Sequence, residues 1–163
     1  MNIDIQQPQP FDLVSNEILI AGNAVGFEGH LTIIVSEGHD EVSAAAVVGG
    51  FSIQQFQAII IIPDDVGFAR DRLFVMLADD SGGDDEVAIP RVTVPVLYGP
   101  MILPGYHGYF QHEVVSGDTL SALALRYYED ETKWQPIMKA NTHIVTDPDL
   151  IFPSQILRIP RND

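Results

Sequence analysis

Glu113-Val-Val-Ser-Gly-Asp-Thr-Leu120 and Leu150-Ile-Phe-Pro-Ser-Gln-Ile-Leu-Arg-Ile-Pro160 bracket the carboxy-terminal third of a 163-residue chain. In the first of them His112, Val114 and Ser116 alternate with Glu113 and Val115, as a half-buried strand requires. Gly117 ends that strand. Asp118 and Thr119 then place side-chain oxygens just ahead of Leu120, Leu123, Ala124 and Tyr127, whose spacing puts them on one face of a capped amphipathic helix. Glu129-Asp-Glu131 interrupts the apolar pattern, and Thr132 with Gln135 has the spacing of a capping box. That spacing predicts a second helix with Trp134, Ile137, Met138 and Asn141 on its inner face. Pro136 is tolerated in its first turn, where few backbone donors have an intrahelical acceptor. A polar connection from Thr142 to Asp149 leads to a second strand over Gln155–Ile159. The order is strand, helix, helix, strand.

Outward from this segment, the first hundred residues read as all-β. Ile3 and Ile5 alternate before Pro8, Ile18 and Ile20 before Gly22, and Leu31, Ile33 and Val35 before Glu37-Gly-His-Asp40. Further strands are predicted over 43–48, 51–62, 73–77 and 87–96, the last pushed toward a sheet edge by Pro90 and Pro95, which have no N–H to give to a ladder. About seven short strands in about a hundred residues is the pattern of a β-sandwich. With no cysteine in the chain, it has no bridged pair of the antibody type, and thiolate zinc sites and cysteine nucleophiles are excluded.

The formal charge of −15 and the pI near 4.3 argue against nucleic acid, whose phosphates demand clustered Lys and Arg. The charge is uneven. Residues 1–100 carry 15 acidic and 3 basic side chains, a net of −12, whereas residues 101–163 carry 8 and 5, a net of −3. The carboxy-terminal part is therefore the expected contact surface for an anionic partner, and the acidic part the expected solubiliser or partner of a basic surface. Scarce lysine with surplus acid also fits a high-salt cytoplasm. The amino terminus lacks a basic region followed by an apolar run, and the apolar stretches are far shorter than the roughly 20 residues a bilayer needs. The expectation is a chain without signal peptide or membrane insertion, cytoplasmic or part of an exported assembly, with association to a cell envelope left open.

Two resemblances follow from these blocks. Val115-Ser-Gly-Asp-Thr-Leu120, Ala124 with Tyr127-Tyr128, Lys139-Ala-Asn141 and Ile151-Phe-Pro-Ser-Gln-Ile-Leu-Arg-Ile-Pro160 together resemble a LysM domain. This implies a two-stranded antiparallel sheet with both helices on one face, and binding of N-acetylglucosamine-containing polymers such as peptidoglycan or chitin. The implied groove has Gly117, Asp118, Thr119 and Leu120 on one wall and Leu150, Ile151, Phe152 and Pro153 on the other. Ser154 stands where many family members carry glycine, and the stretch 142–149 is longer than in compact wall-binding members, as in modules of some ion-responsive proteins and of phage-like injection machines. Ile3-Asp-Ile-Gln-Gln-Pro8, Ile18-Leu-Ile-Ala-Gly-Asn-Ala24 with Gly26-Phe-Glu-Gly29, Gly50-Phe-Ser52 and Val92-Thr-Val-Pro-Val96 resemble the immunoglobulin-like domain Gmad2 of bacterial spore-germination and surface proteins. That resemblance implies a structural or protein-binding module.

Other constellations have simpler readings. Asp79-Asp-Ser-Gly-Gly-Asp-Asp-Glu86 gathers oxygen ligands as a calcium loop does, but its spacing misses the EF-hand pattern and a solvated hairpin loop accounts for it. His107, His112 and His143 lack a defined metal-ligand spacing. Ser116-Gly-Asp118 lacks a glycine-flanked nucleophile elbow, and the adjacent carboxylates Glu129, Asp130 and Glu131 read as a solvated turn rather than a hydrolase pair. Tyr98-Gly-Pro-Met-Ile-Leu-Pro-Gly-Tyr-His-Gly-Tyr-Phe110 is punctuated like a linker yet too apolar for a free tether, which predicts that it docks.

The expectation is a mixed two-domain chain: an all-β immunoglobulin-like sandwich over residues 1–97, an aromatic Pro/Gly linker over 98–110, and a small α+β LysM module (βααβ) over 111–163. Its expected role is that of a non-catalytic adaptor without cofactor or metal, whose partner is peptidoglycan or a related N-acetylglucosamine polymer. The alternative is a structural component of a phage-tail-like contractile injection assembly that uses LysM to dock protein partners.

Overall fold

The computed structural model describes residues 3–25, 29–50, 52–79 and 89–162. The acidic stretch read as a calcium or hairpin loop, apart from the backbone of Asp79, lies outside the described residues, as do Gly26, Phe27, Glu28, Phe51 and Val87 of the expected turns and strands. The chain forms two compact units, Met1–Tyr98 and Gly99–Asp163.

The first unit contains β1 (Ile3–Gln7), β2 (Leu13–Val14), β3 (Glu17–Ala24), β4 (His30–Ser36), β5 (Glu41–Val47), β6 (Gln54–Ile61), β7 (Arg72–Asp79) and β8 (Ile89–Tyr98). They make a three-stranded sheet in the order β1-β3-β6 and a five-stranded sheet in the order β2-β8-β7-β4-β5. Ile18 and Ile20 of β3, Leu31, Ile33 and Val35 of β4, and Leu73, Val75 and Leu77 of β7 are buried in one core, because every second residue of a strand faces the same side. The core is an immunoglobulin-like sandwich, as the alternation predicts.

The last strand, expected at a sheet edge, instead lies between β2 and β7, and the way it accommodates Pro95 is visible. Phe11 donates its N–H to the Pro95 carbonyl at 2.6 Å, and Leu97 donates to the Asp12 carbonyl at 2.8 Å. The backbone groups of 95 and 97 therefore face away from β7, and the missing N–H of Pro95 costs the β7–β8 ladder nothing. The two-residue β2, which pairs parallel with Leu97 and Tyr98, is too short to leave a sequence pattern and was not expected.

The second unit contains the helical turn α1 (Gly99–Ile102), β9 (Tyr106–Glu113), α2 (Leu120–Tyr128), α3 (Gln135–Ala140) and β10 (Ile156–Asn162). β9 and β10 pair antiparallel, with Ile156 opposite Glu113 and Ile159 opposite Phe110. Val114, Leu120, Leu123, Ala124, Ile137, Val145, Leu157 and Ile159 form its core, with Tyr127, Trp134, Met138 and Ile151 packed against it. Thr119 caps α2 by accepting from the Ala122 N–H at 3.1 Å. The expected capping box of α3 does not form. Trp134 is the N-cap, and both the backbone N–H and the hydroxyl of Thr132 donate to Asp130 Oδ1 instead, at 2.9 and 2.6 Å. A nearer aspartate outcompetes the helix end for the threonine.

The stretch expected as a linker is built into regular structure. Tyr98 ends β8 and lies in the sandwich core, with its hydroxyl donating to Asn16 Oδ1 at 2.7 Å and its ring edge-on to Phe68. Gly99–Ile102 is α1, and Tyr106 to Phe110 are the first residues of β9. Pro104 and Gly105 mark the turn between α1 and β9, while Gly99 and Pro100 open α1 and Gly108 lies within β9. Among the described residues no helix is long and apolar enough to cross a membrane.

Replacing Tyr98 by Phe removes one half-buried hydroxyl bond and is expected to lower the stability of the sandwich by about 1 kcal/mol, whereas Tyr98→Ala costs about 3–5 kcal/mol through the cavity it leaves. Urea unfolding of the full chain checks both.

Candidate functional site

The two stretches expected to form the groove meet at one end of the β9–β10 ribbon. Val114 follows β9 directly. It accepts the Ser154 N–H at 2.9 Å and donates to the Gln155 carbonyl at 2.8 Å, so the turn after β9 and the turn before β10 lie side by side. The first turn runs from Val115 to Asp118, with the Asp118 N–H donating to the Val115 carbonyl at 3.1 Å. Gly117 sits in it at φ +96°, a left-handed conformation that glycine adopts without steric cost. The second turn is closed by the Gln155 N–H to the Phe152 carbonyl at 3.1 Å, and by Gln155 Oε1 accepting from the Phe152 N–H at 2.7 Å.

Within the first turn Asp118 is occupied internally. Its Oδ2 accepts from the Val115 N–H at 2.9 Å and lies 2.8 Å from Nε2 of His112. His112 is only 8% exposed, and its Nδ1 is 3.1 Å from the Tyr127 hydroxyl. The Val115 backbone N–H, and then the His112 side chain, hold the Asp118 carboxyl below its ordinary range. Asp118 thus braces the turn and Thr119 caps the helix. The alternation around Glu113 signalled that His112 faces inward, but not that an aspartate six residues on would reach back to it.

The eight expected site residues divide by exposure. Leu120 is buried at 2% in the second core, because as the first residue of α2 it faces inward. Its side chain is not a wall of the surface, which corrects that expectation. Ile151 is half-buried and packs on the same core. Leu150 and Phe152 are more than half exposed, at 53% and 56%, and Gly117, Thr119 and Pro153 are also exposed. Val115 and Ile156, not singled out by the sequence, are exposed apolar side chains at the same end of the ribbon. Their signal was available in the strand alternation, which turns them away from the helices.

Ser154, in the position where glycine is common, adopts φ +71°. Both ring nitrogens of His112 are engaged within this network, and no group of three or more His, Asp or Glu among the described residues is placed to hold a metal ion. Of the carboxylates after α2, Asp130 accepts from Thr132 and lies 3.7 Å from Lys133.

Two outcomes are expected from this geometry. Ser154→Gly relieves a left-handed serine and should raise the stability of the second unit by about 0.5–1 kcal/mol in thermal unfolding. Because the folded Asp118 carboxyl titrates below the unfolded one, its contribution is present above the ordinary carboxylate range and is lost as pH falls through the lower folded value. Unfolding measured at about pH 5 and about pH 3 should show a larger loss for the wild type than for Asp118→Asn.

Comparison with known proteins agrees with this architecture. Residues 112–160 match the LysM domain, and residues 2–84 match the immunoglobulin-like domain of bacterial spore germination, Gmad2. Over 49 residues, 30% of this chain, it is 43% identical to a protein called potassium binding protein Kbp from Escherichia coli O6:H1, of which those residues are 33%. The chain therefore spans about a third of the length of that curated relative. No solved structure matches the chain significantly. By the residues it matches and the sandwich it forms, the chain belongs to the Gmad2 family of immunoglobulin-like domains and carries a LysM domain behind it.

Proposed function

We propose that the chain is a non-catalytic adaptor whose LysM domain binds an N-acetylglucosamine-containing polymer, peptidoglycan or a chitin-like glycan, across the paired turns. The observation that supports this reading is the joining of the two turns through Val114, whose backbone bonds Ser154 and Gln155. An N-acetylglucosamine unit offers an acetyl methyl and apolar ring faces together with amide and hydroxyl groups. Exposed Leu150 and Phe152 suit the former, and the backbone of two tight turns suits the latter.

The sandwich supplies the structural or protein contacts in this reading. Leu19 of β3 is paired with Ile59 of β6, next to the Glu17–Ile61 pair, and Leu19, Ile59 and Ile61 are exposed apolar residues on one face of the three-stranded sheet. Exposed apolar patches of this kind mark contact surfaces. The same row favours the second reading, a component of a contractile, phage-tail-like assembly in which both domains dock protein.

Sedimentation of the full chain with insoluble peptidoglycan and with chitin separates the two readings. The wild type is expected to be retained, and Leu150→Ala combined with Phe152→Ala to lose retention about tenfold or more, while its unfolding midpoint shifts little because both side chains are largely exposed. Ile151 is a poor choice for this test, since a charge there disturbs the core. Passage of the folded wild type through both matrices unretained would overturn the glycan reading and favour protein docking.

A further inference from the structure

The opposite end of the β9–β10 ribbon carries a cavity of about 410 Å³, within the range of small-molecule sites. It exists because the ribbon outruns the helices. The alternation that buries His112, Leu157 and Ile159 against α2 and α3 continues to Phe110 on β9 and Arg161 on β10, which the helices cover only in part. Phe110 is consequently 47% exposed. Its ring stacks on Tyr127 with centroids 6.0 Å apart and 27° between planes, and Tyr128 and Pro136 complete an aromatic and apolar wall. The hydroxyl of Tyr128 is spent on the Pro160 carbonyl at 2.8 Å, so this wall presents rings rather than donors.

The charge of the cavity runs against that of the chain. In a protein with 23 acidic and 8 basic residues, the charged side chains lining it are Lys133 and Arg161, and no carboxylate is among its lining residues. Arg161 lies opposite Gly108, which offers no side chain beside it, and its guanidinium settles over the Phe110 ring at 5.1 Å. A guanidinium laid on a ring face keeps its edge donors free for an anion. Lys133 faces Asp130 at 3.7 Å in an exposed pair, an interaction of little worth that an incoming anion replaces easily.

We propose that this cavity is a second binding site, separate from the paired turns, for an organic monocarboxylate with an aromatic or aliphatic body. The body packs against the wall of Phe110, Tyr127, Tyr128 and Pro136, and the carboxylate is held by Arg161, with Lys133 adding attraction. A free acid and the carboxyl terminus of a peptide share this chemistry. The inference does not rest on the glycan reading, and retention on chitin and binding of an acid fail independently.

The test uses the full chain and three probes, N-acetyl-phenylalanine, its carboxamide, and a pentapeptide ending in phenylalanine with a free carboxylate, followed through the aromatic resonances of Phe110, Tyr127 and Tyr128. The acid is expected to shift those resonances with a dissociation constant on the order of a millimolar. The carboxamide should bind about tenfold more weakly, and Arg161→Gln should weaken the acid about tenfold while leaving the carboxamide unchanged. Lys133→Gln, at an exposed position unrelated to folding, should give a smaller loss that disappears at high salt. Tighter binding of the pentapeptide than of the acid would assign the site to a chain terminus, and equal binding to a free acid. Equal affinities of acid and carboxamide, an acid affinity indifferent to Arg161→Gln, or unmoved rings in the folded protein at about 20 mM acid, well above the expected constant, would each overturn the proposal.

Discussion

The side-chain amide of Asn141, 0% exposed, donates to the carbonyls of Ile137 and Arg158, both at 2.7 Å, and accepts from the Arg158 N–H at 2.8 Å. One carboxamide thereby closes the end of α3 and pairs with β10 as a neighbouring strand would. Arg158 is a position where β10 turns its backbone groups away from β9. Two residues on, Pro160 has no N–H to satisfy, and its carbonyl takes the Tyr128 hydroxyl. This edge of the ribbon is therefore sealed by side chains instead of a third strand. A two-stranded ribbon is marginal by itself, and these bonds, each worth about 1 kcal/mol and costly to leave unmade when buried, fix it against the helices.

With the ribbon fixed, its two ends differ in chemistry for a common reason. At one end the strands give way to tight turns that hold left-handed residues, Gly117 and Ser154, and exposed Val115, Leu150, Phe152 and Ile156 stand there among polar side chains. At the other end the strands run on past the helices and expose the residues that would otherwise have been core, Phe110 and the alkyl stem of Arg161. His112 and Tyr127 lie between. The imidazole contacts Asp118 of the turn on one side and the Tyr127 hydroxyl on the other, while the Tyr127 ring also stacks on Phe110. The bracing of the turns and the shape of the cavity thus share one hydrogen-bonded chain.

The sandwich obeys a different constraint. Its strands are short, and its pairings join residues far apart in sequence, as Glu17 with Ile61 and Arg72 with Leu97. Period-two burial is what holds them in register, since a slip of one residue would turn Ile18, Ile20 and their partners out into water. The apolar residues that remain outside on β3 and β6 are not required by that register. This makes the outer face the part of the sandwich most open to a contact role.

The sequence by itself determined the two-domain order, the alternating strands around Ile18, Leu31 and Leu73, the cap at Thr119, the inward face of α3 and the glycine turn at Gly117. All of these depend on neighbours within a turn or a pleat, so the cause lies next to its effect in the chain. Only the tertiary structure decided that Ile151 packs on the core while Leu150 and Phe152 remain outside. It also decided that Asp118 braces His112 and that Tyr98 closes the sandwich instead of opening a linker. The placement of Phe110 and Arg161 around a cavity was likewise beyond the sequence pattern, because it depends on where the helices stop relative to strands that are distant in sequence. Burial and partner choice across such separations are set by packing, and packing leaves no local period to read.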